Sequence, residues 1–578
     1  MITLAELNRL DRAGFVAALD GLYEHSPWVA DAAFAAAPFA SKLALLDALN
    51  AAMLAAPEAR QLDLICAHPE LAGKAAIAGA LTAASTREQA GAGLSQCTPD
   101  EYASLHRLNA EYRARFGFPF ILAVKGHTRA SIIASLAARL ANDRATEQTR
   151  ALHEIGRIAG FRLADRVTEP FGDEILAMCA RLATLSEQAD GLTCTYLTPV
   201  HQATAALLRD WMLEAGLDAQ IDAIGNVVGR WRRAEPDART LITGSHYDTV
   251  INGGHFDGRL GIVLPIVVAR RLRQAGVPLP FDLEIVGFCE EEGVRFKSTF
   301  LGSGALAGRF DPAVLARIDG AGMSMRDALN AAGHDPAAIA GIARDPASLL
   351  GFVEVHIEQG PVLLDEGHAV GVVTAINGSL RYRASITGLA GHAGTVPMHL
   401  RRDAAAAAAE IVLMVERRCG AVPGLVGTVG LLEVPGGAVN VIPGRCELSI
   451  DLRAPDDAVR DAAAADVLHA IDAIASRRGV TATVVPIVRA DATPCAPALQ
   501  DALDSSIRRV TGITASRRLP SGAGHDCMMM ANLTPSAMLF VRCGNGGISH
   551  HPDETLSAGD ADIAAQVFAD FLTHLEPT

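Results

Sequence analysis

The stretch Gly244–Gly261, GSHYDTVINGGHFDGRLG, decides how this chain is read. Three of its side chains, His246, Asp248 and Asp257, can bind a metal ion or hold a ligand in place. The run Thr240–Thr243 before it reads as a buried strand ending at Gly244. Residues at the carboxyl end of a parallel strand point into the usual active-site crevice of an open α/β sheet. A second strand pattern, DLEIVGFCEEEG (Asp282–Gly293), ends in Glu290, Glu291 and Glu292. Alone, either stretch also admits a blander reading, as a solvated acidic turn or a core histidine. Two strands in succession ending in His, Asp and Glu resist that reading, because buried charge is costly unless paired or metal-bound.

Working outward, helical segments alternate with Val/Ile-rich runs from about residue 174 onward, which predicts βαβ units and a mainly parallel sheet. GFVEVHIEQG (Gly351–Gly360) is another strand, presenting His356, Glu358 and Gln359. A β-rich region, RYRASITGLAGHAGTVPM, follows, then a helix from about Asp403 to Arg418. TVGLLEVPGGAVNVIPGRCELSIDLRAP reads as two strands joined through a Gly-Pro turn. SGAGHD (Ser521–Asp526) and GISHHPDE (Gly547–Glu554) add histidines near the end. The dispersed ligand set is His246, Asp257, Glu292, His356 and a histidine of the 550 region. Mixed imidazole and carboxylate donors suit Zn, Mn, Co or Ni rather than Ca. One carboxylate shared by two ions is a plan for hydrolysis, and a Glu beside a metal-binding Glu is placed as general base. Residues 310–346 carry no usable motif, and His334, His368 and His399 fit none.

Residues 1–166 differ in character. Ala, Leu and Arg dominate, apolar residues recur every three or four, and strand-like runs are scarce, so this part is predicted as an all-α helical bundle. Thr3 or Asn8 can cap the opening turns; Thr98, with Pro99 at the first helical position, starts a helix. Three polar clusters stand out: His68-Pro69-Glu70-Leu71, Ser85-Thr86-Arg87-Glu88-Gln89, and the aromatic turn Phe116–Ile121. Taken singly, they read as a capping histidine, a capping box and a hydrophobic loop. Val167–Asp173 is a short linker, so the halves are expected to be close neighbours.

The whole chain has 578 residues, a net charge of −15 and ten scattered cysteines. That length predicts roughly three or four domains. The acidic balance argues against nucleic acid as the main partner. Cysteines with no CxxC pair predict reduced thiols in a cytoplasmic protein. The charged opening MITLAELNRLDRAGF does not read as a signal peptide, and no membrane span is predicted.

The motifs HPEL, SxxEQxGAGL, NxxYxxRFGFPFI and EIGRIAGFRL resemble those of 2-oxo-4-hydroxy-4-carboxy-5-ureidoimidazoline (OHCU) decarboxylase across nearly all of residues 1–166. The resemblance implies a cofactor-free decarboxylase that yields (S)-allantoin. By motif, His68 and Glu88 become the catalytic pair, and Ser85 and Gln89 hold the substrate. The FGFPFI backbone, including Pro119 and Ile121, binds its polar groups, and Arg162 matches the family's arginine.

GSHYDTV, GGHFDGRLG, EEEGVRF, HIEQG, GHAGTVPM, GGAVNVIPG, SGAGHD and ISHHPDE resemble the M20-type metallo-amidohydrolases over about residues 172–575. The branch is that of allantoate amidohydrolase, N-carbamoyl-L-amino-acid hydrolase and β-ureidopropionase. The resemblance implies two divalent ions, Zn or Mn, on His246, Asp257 (bridging), Glu292, His356 and His550, with Glu291 as general base and Asp248 orienting His246. Gln359, His392, Asn440, Arg453 and His525 match substrate-binding positions. It further implies a catalytic domain of residues 174–379 and 489–578, and an inserted lid and dimerisation domain of residues 380–488, giving a homodimer. Small ureides are the expected substrates. The fusion favours a bifunctional enzyme of uric acid degradation acting on allantoate. An N-carbamoyl amino acid or ureidoglycolate is the alternative substrate, and a non-catalytic binding module the alternative class.

Overall fold

The computed structural model describes residues 1–71, 85, 94–125, 127–233 and 238–576. The first 164 residues supply helices at Lys42–Leu54, Glu58–Ala67, Pro99–Phe116, Arg129–Arg139 and Arg144–Ala164, among shorter ones. Local sequence accounts for their starts. Thr98 accepts from Glu101 N while the Glu101 carboxylate accepts from Thr98 N, with Pro99 in the first turn. Thr3 closes the same reciprocal cap with Glu6. Asn8 instead pairs its side-chain amide with the Phe39 backbone, joining two segments. The aromatic turn packs inward: Tyr112 meets Phe120 edge-on at 5.3 Å in a core that also takes Phe116 and Phe118.

The short linker carries structure of its own. Val167–Thr168 pairs in parallel with Ile2–Thr3, and Phe171 opens the helix Phe171–Ala183. Extended Val-Thr and an acidic first turn give those residues structure of their own. The junction behind them is charged and buried. Glu174 accepts from Lys42 Nζ at 2.5 Å, from Arg271 at 2.8 Å and from Arg270. Glu169 accepts from Lys42 N at 2.9 Å. Lys125 Nζ donates to Glu214 O at 2.9 Å, and Gln274 to Ala164 O at 3.1 Å.

The second half is built on a nine-stranded sheet. Its centre is four parallel strands in the order Ser536–Val541, Leu349–Ile357, Thr240–His246, Asp282–Phe288. The edges turn antiparallel at Val227–Trp231 and Val370–Ile376, so the sheet is mixed rather than parallel throughout. The central strands are buried along almost their whole length, as their continuous Val/Ile/Leu content requires. Residues 310–346 form short helical turns, three of them opened by an Asp-Pro pair: Asp311, Asp335 and Asp345 each cap the residue two further on.

A separate antiparallel sheet lies within the second half. Its strands run in the order Val426–Thr428, Arg445–Ala454, Gly378–Thr387, Thr481–Ala490. The helices Ala404–Gly420 and Asp457–Arg478 cover one face and share its apolar core. The other face is open, because buried residues alternate along the length of Arg445–Ala454, and it is mixed, with Arg381, Asp451 and Arg453 beside Val426 and Ile487. Where two strands joined by a Gly-Pro turn were expected, Val426–Ala454 forms four strand segments. All ten cysteines are unpaired. Among the described residues no helix is long and apolar enough to cross a membrane.

Burial raises the Glu174 carboxyl, but Arg270, Lys42 and Arg271 outweigh it and hold the group far below its ordinary value. Its stabilising contribution is therefore present above the unfolded value near 4.5 and is lost as pH falls. Glu174→Gln leaves three cations facing a neutral amide. The expected cost is about 3–5 kcal/mol in urea unfolding at neutral pH, shrinking toward acid.

Candidate metal centre and a second polar cluster

The carboxyl ends of three neighbouring strands deliver the centre. Thr240–His246 ends in His246, Asp282–Phe288 runs into Glu290–Glu292, and Leu349–Ile357 carries His356 next to its end. Asp257 comes from the loop before the helix Leu260–Gln274, and His550 from a loop near the end of the chain. Asp257 Oδ1 lies 3.6 Å from His246 Nε2 and 3.2 Å from His356 Nε2. Its Oδ2 lies 3.1 Å from His550 Nε2, which is 3.3 Å from Glu292 Oε1. Two candidate ligand groups share Asp257, His246/Asp257/His356 and Asp257/Glu292/His550, each with its donor atoms within 4.8 Å of one another.

The imidazoles are oriented for this. His246 Nδ1 donates to Asp248 O at 3.0 Å and His356 Nδ1 to Ile357 O at 2.8 Å, turning both Nε2 atoms toward Asp257. Gly258 makes the approach possible: its φ is +67°, and a Cβ there would stand 2.5 Å from His246 Nε2. Glu554 fixes the loop by accepting from Phe256 N at 2.8 Å and Asp257 N at 3.2 Å.

Asp248 does two things. Its carbonyl holds His246, while its carboxylate accepts from Glu291 N and Glu292 N, both at 3.1 Å. The carboxylate itself stands 3.7 Å from His246 Nδ1. Gln359 Nε2 donates to Asp257 Oδ2 at 3.0 Å. Glu290, Gln359 and His550 all have φ between 52° and 55°, a left-handed geometry that costs a non-glycine residue roughly 1–3 kcal/mol.

The electrostatics ask for cations. Burial pushes Glu291 well above the carboxylate range, with Glu292, Asp526 and Asp248 adding and His246 opposing. Burial also takes Glu292 up to about 7 and Asp526 up to about 8. Asp257 goes the other way: burial raises it, but hydrogen bonds from His246, His356 and His550 prevail. His550 rises to about 9, chiefly through its bond to Asp257. Four imidazole and carboxylate donors around one shared carboxylate fit divalent ions with mixed N/O ligation.

His246, Asp257, Glu291, Glu292, His356, Gln359, Arg453 and His550 all line one cavity of about 430 Å³. Arg453 reaches it from the second sheet, donating to Gly522 O at 2.7 Å. His525 sits behind His356, ring centroids 4.5 Å apart, with Nε2 at 2.7 Å from Ser521 Oγ. His392 and Asn440 come together, through Ala393 N to Asn440 O at 2.9 Å, on an exposed part of the second sheet's unit. Neither is among the residues lining the cavity.

A second polar cluster forms in the helical half. Arg162 Nη1 donates to Glu24 at 2.8 Å and its Nη2 to Ser85 Oγ at 3.2 Å; Ser85 Oγ donates to Glu24 Oε2 at 3.3 Å. All three are buried. His68 ends the helix Glu58–Ala67, buried, with Nδ1 at 2.9 Å from Leu64 O. Pro119 and Ile121 are buried in the aromatic turn. Ile121 O accepts from Arg139 at 2.8 Å, and Ala123 N donates to Glu154 at 3.0 Å. Glu88 and Gln89 lie outside the described residues. Glu24 was not anticipated; it stands outside every motif, 138 residues from Arg162. Glu554 was legible inside GISHHPDE but was passed over for the adjacent histidines.

A family model described as OHCU decarboxylase matches residues 8–164, and one described as peptidase family M20/M25/M40 matches residues 242–574. The chain belongs to both families, as a fusion. Its M20 half is similar to allantoate deiminase of Arabidopsis thaliana, 38% identical over 69% of this chain and 82% of that protein. It is similar also to N-carbamoyl-L-amino acid amidohydrolase of Geobacillus stearothermophilus, 36% identical over 68% and 96%. Among solved structures, a hydantoinase/carbamoylase-family amidase of Burkholderia multivorans shares 32% identity at a TM-score of 0.65, over 69% of this chain and 97% of that one. Membership of M20 agrees with the metal-type donor set.

With Asp248, Asp257, Glu290 and Glu291 all buried, a bound cation relieves mutual repulsion. Dialysis against a chelator is expected to lower Tm by about 5 °C or more, with recovery on adding Mn or Zn, read by scanning calorimetry.

Proposed function

We propose that this fusion is a bifunctional ureide-pathway enzyme. Residues 1–166 decarboxylate OHCU to (S)-allantoin, and the M20 half hydrolyses allantoate to ureidoglycine, ammonia and CO2. The observation that carries the hydrolase is Asp257, facing His246 and His356 with one oxygen and His550, next to Glu292, with the other. Two divalent ions would be held there by His246, Asp257, Glu292, His356 and His550. When bound, they supply Lewis-acid polarisation and an acidified water. Glu291 takes the proton of the attacking water and returns it to the leaving nitrogen as the C–N bond breaks. Arg453 grips the substrate carboxylate. Gln359, whose Oε1 is buried without a partner among the described residues, accepts from a ureido N–H.

In the helical half, Arg162 binds the departing carboxylate beside Ser85 and Glu24, and His68 manages the proton at the carbanionic centre. The motif pairs Glu88 with His68 in catalysis, and assigns Gln89 and the Pro119–Ile121 backbone to holding the substrate. No cofactor is required. Allantoate is favoured over an N-carbamoyl amino acid because the decarboxylase product is its precursor, one ring-opening hydrolysis away. His392 and Asn440 lie away from the cavity of their own chain, which suits a homodimer formed through the inserted sheet, each copy completing its partner's site. Cytoplasmic residence fits the ten unpaired cysteines.

Glu291→Gln is expected to lower kcat for ammonia release from allantoate by about 10³-fold or more and to leave OHCU decarboxylation unchanged. Joint loss of both activities counts against separate sites.

A further inference from the structure

The backbone that follows the aromatic turn of the helical half is fastened at three successive points. Ile121 O accepts from Arg139 at 2.8 Å, and Arg139 is itself held by the buried Glu147, its Nη2 standing 2.8 Å from Glu147 Oε2. Two residues on, Ala123 N donates to the buried Glu154 at 3.0 Å. Two further on, Lys125 Nζ donates to Glu214 O at 2.9 Å. The first hold belongs to the helical half alone. The third, and a support of the second, come from the other half.

Both come from the end of one helix, Pro199–Glu214. The last carbonyls of a helix have no partner within it, and a cation is favoured at that end. Lys125 meets both conditions at Glu214 O, with its Nζ 5.2 Å from the centroid of the Phe161 ring, next to Arg162 in the chain. Asp210, one turn earlier, lies on the same face of the helix as Glu214. Its Oδ1 faces Arg157 Nη2 at 4.0 Å and also accepts from Arg209 at 2.9 Å. Arg157 Nη1 in turn donates to Glu154 at 3.3 Å. Asp210, Arg157, Glu154 and Ala123 thus form a line from the second half to the Phe120–Lys125 backbone. Glu214 lies against the helix that carries Arg157 and Arg162, since a Cβ on Gly160 would stand 4.0 Å from its Oε1. The match to the decarboxylase family ends at residue 164, so Asp210 and Glu214 both lie outside it.

We infer that the second half is a working part of the decarboxylase, because the end of the helix Pro199–Glu214 holds the Phe120–Lys125 backbone in the position that takes the substrate. Lys125 and Asp210 are positioning residues that act through the backbone and not on the substrate. A backbone amide or carbonyl binds well only when its direction is fixed beforehand. A turn left loose must be ordered at each binding event, and that cost weakens binding. The inference rests on the decarboxylase reading above and adds that this activity needs both halves.

Full-length Lys125→Met, Lys125→Arg and Asp210→Ala are compared with wild type for kcat and KM on OHCU. Ammonia release is measured beside them, on whichever of allantoate and N-carbamoyl-L-alanine the wild type cleaves faster. Lys125→Met is expected to raise KM for OHCU by roughly 3- to 20-fold, with kcat within about twofold. Asp210→Ala is expected to raise it by roughly 2- to 5-fold, and Lys125→Arg to recover part of the loss. Ammonia release is expected to stay unchanged in all three. An unchanged KM in both Lys125→Met and Asp210→Ala overturns the inference. So does a rise in Lys125→Met alone, which makes Lys125 a substrate contact in its own right. Parallel loss of both activities overturns it too, because it reports a disturbed fold. Wild-type protein that does not accelerate OHCU decarboxylation overturns the decarboxylase reading and this inference with it.

Discussion

The hydrolase half depends on one carboxylate kept ionised in a buried place. Asp257 would be expected to take up a proton there, since burial favours the neutral form. Three imidazoles and the Gln359 amide prevent it. The histidines come from elements far apart in the chain, and Asp257 is where they meet. Around it the chain accepts costs that a purely structural loop would avoid: left-handed φ at Glu290, Gln359 and His550, and a glycine where any Cβ would strike His246. Such strain persists only where surrounding structure over-determines it. Glu554, Asp248 and the strand ends supply that surrounding structure.

The same logic separates the side chains that face Asp257 from the layer behind them. His246, His356, His550 and Glu292 face Asp257 or one another directly. Asp248 works one step back, since its carboxylate fastens the Glu291–Glu292 backbone while its carbonyl sets the His246 ring. Glu354 plays a like part, accepting from Ser245 Oγ at 2.6 Å and from Cys527 N at 2.9 Å beneath the cavity. Around the cavity the supporting carboxylates Asp248, Glu354 and Glu554 take backbone amides and hydroxyls, whereas Asp257 takes three imidazoles besides the Gln359 amide.

The two halves are joined by charge rather than by apolar packing alone. Glu174 gathers Lys42 from one half and Arg270 and Arg271 from the other. A buried cluster of this kind tolerates little displacement, because each separated charge would be left uncompensated. The pairing of Ile2–Thr3 with Val167–Thr168 adds a backbone tie at the same junction. The two sites therefore sit on one body, although their proposed reactions are not consecutive.

The candidate donors that gather around Asp257 were legible in the sequence, because strand ends followed by His, Asp and Glu mark such groups locally. So was the helical character of residues 1–166, down to the Thr98 cap, since caps and periodicity are short-range. The pairing of Val167–Thr168 within the linker was not legible, because it depends on a partner 165 residues away in the chain. Glu24 escaped notice for the same reason, as no local pattern marks a carboxylate that meets Arg162 only after folding. Which donors share Asp257, and that Arg381 rather than His392 lines the cavity of this chain, follow from strand register and loop approach. Sequence determined which groups were available. Tertiary structure decided which of them meet, because contacts such as Phe256 N to Glu554, spanning 298 residues, leave no local trace.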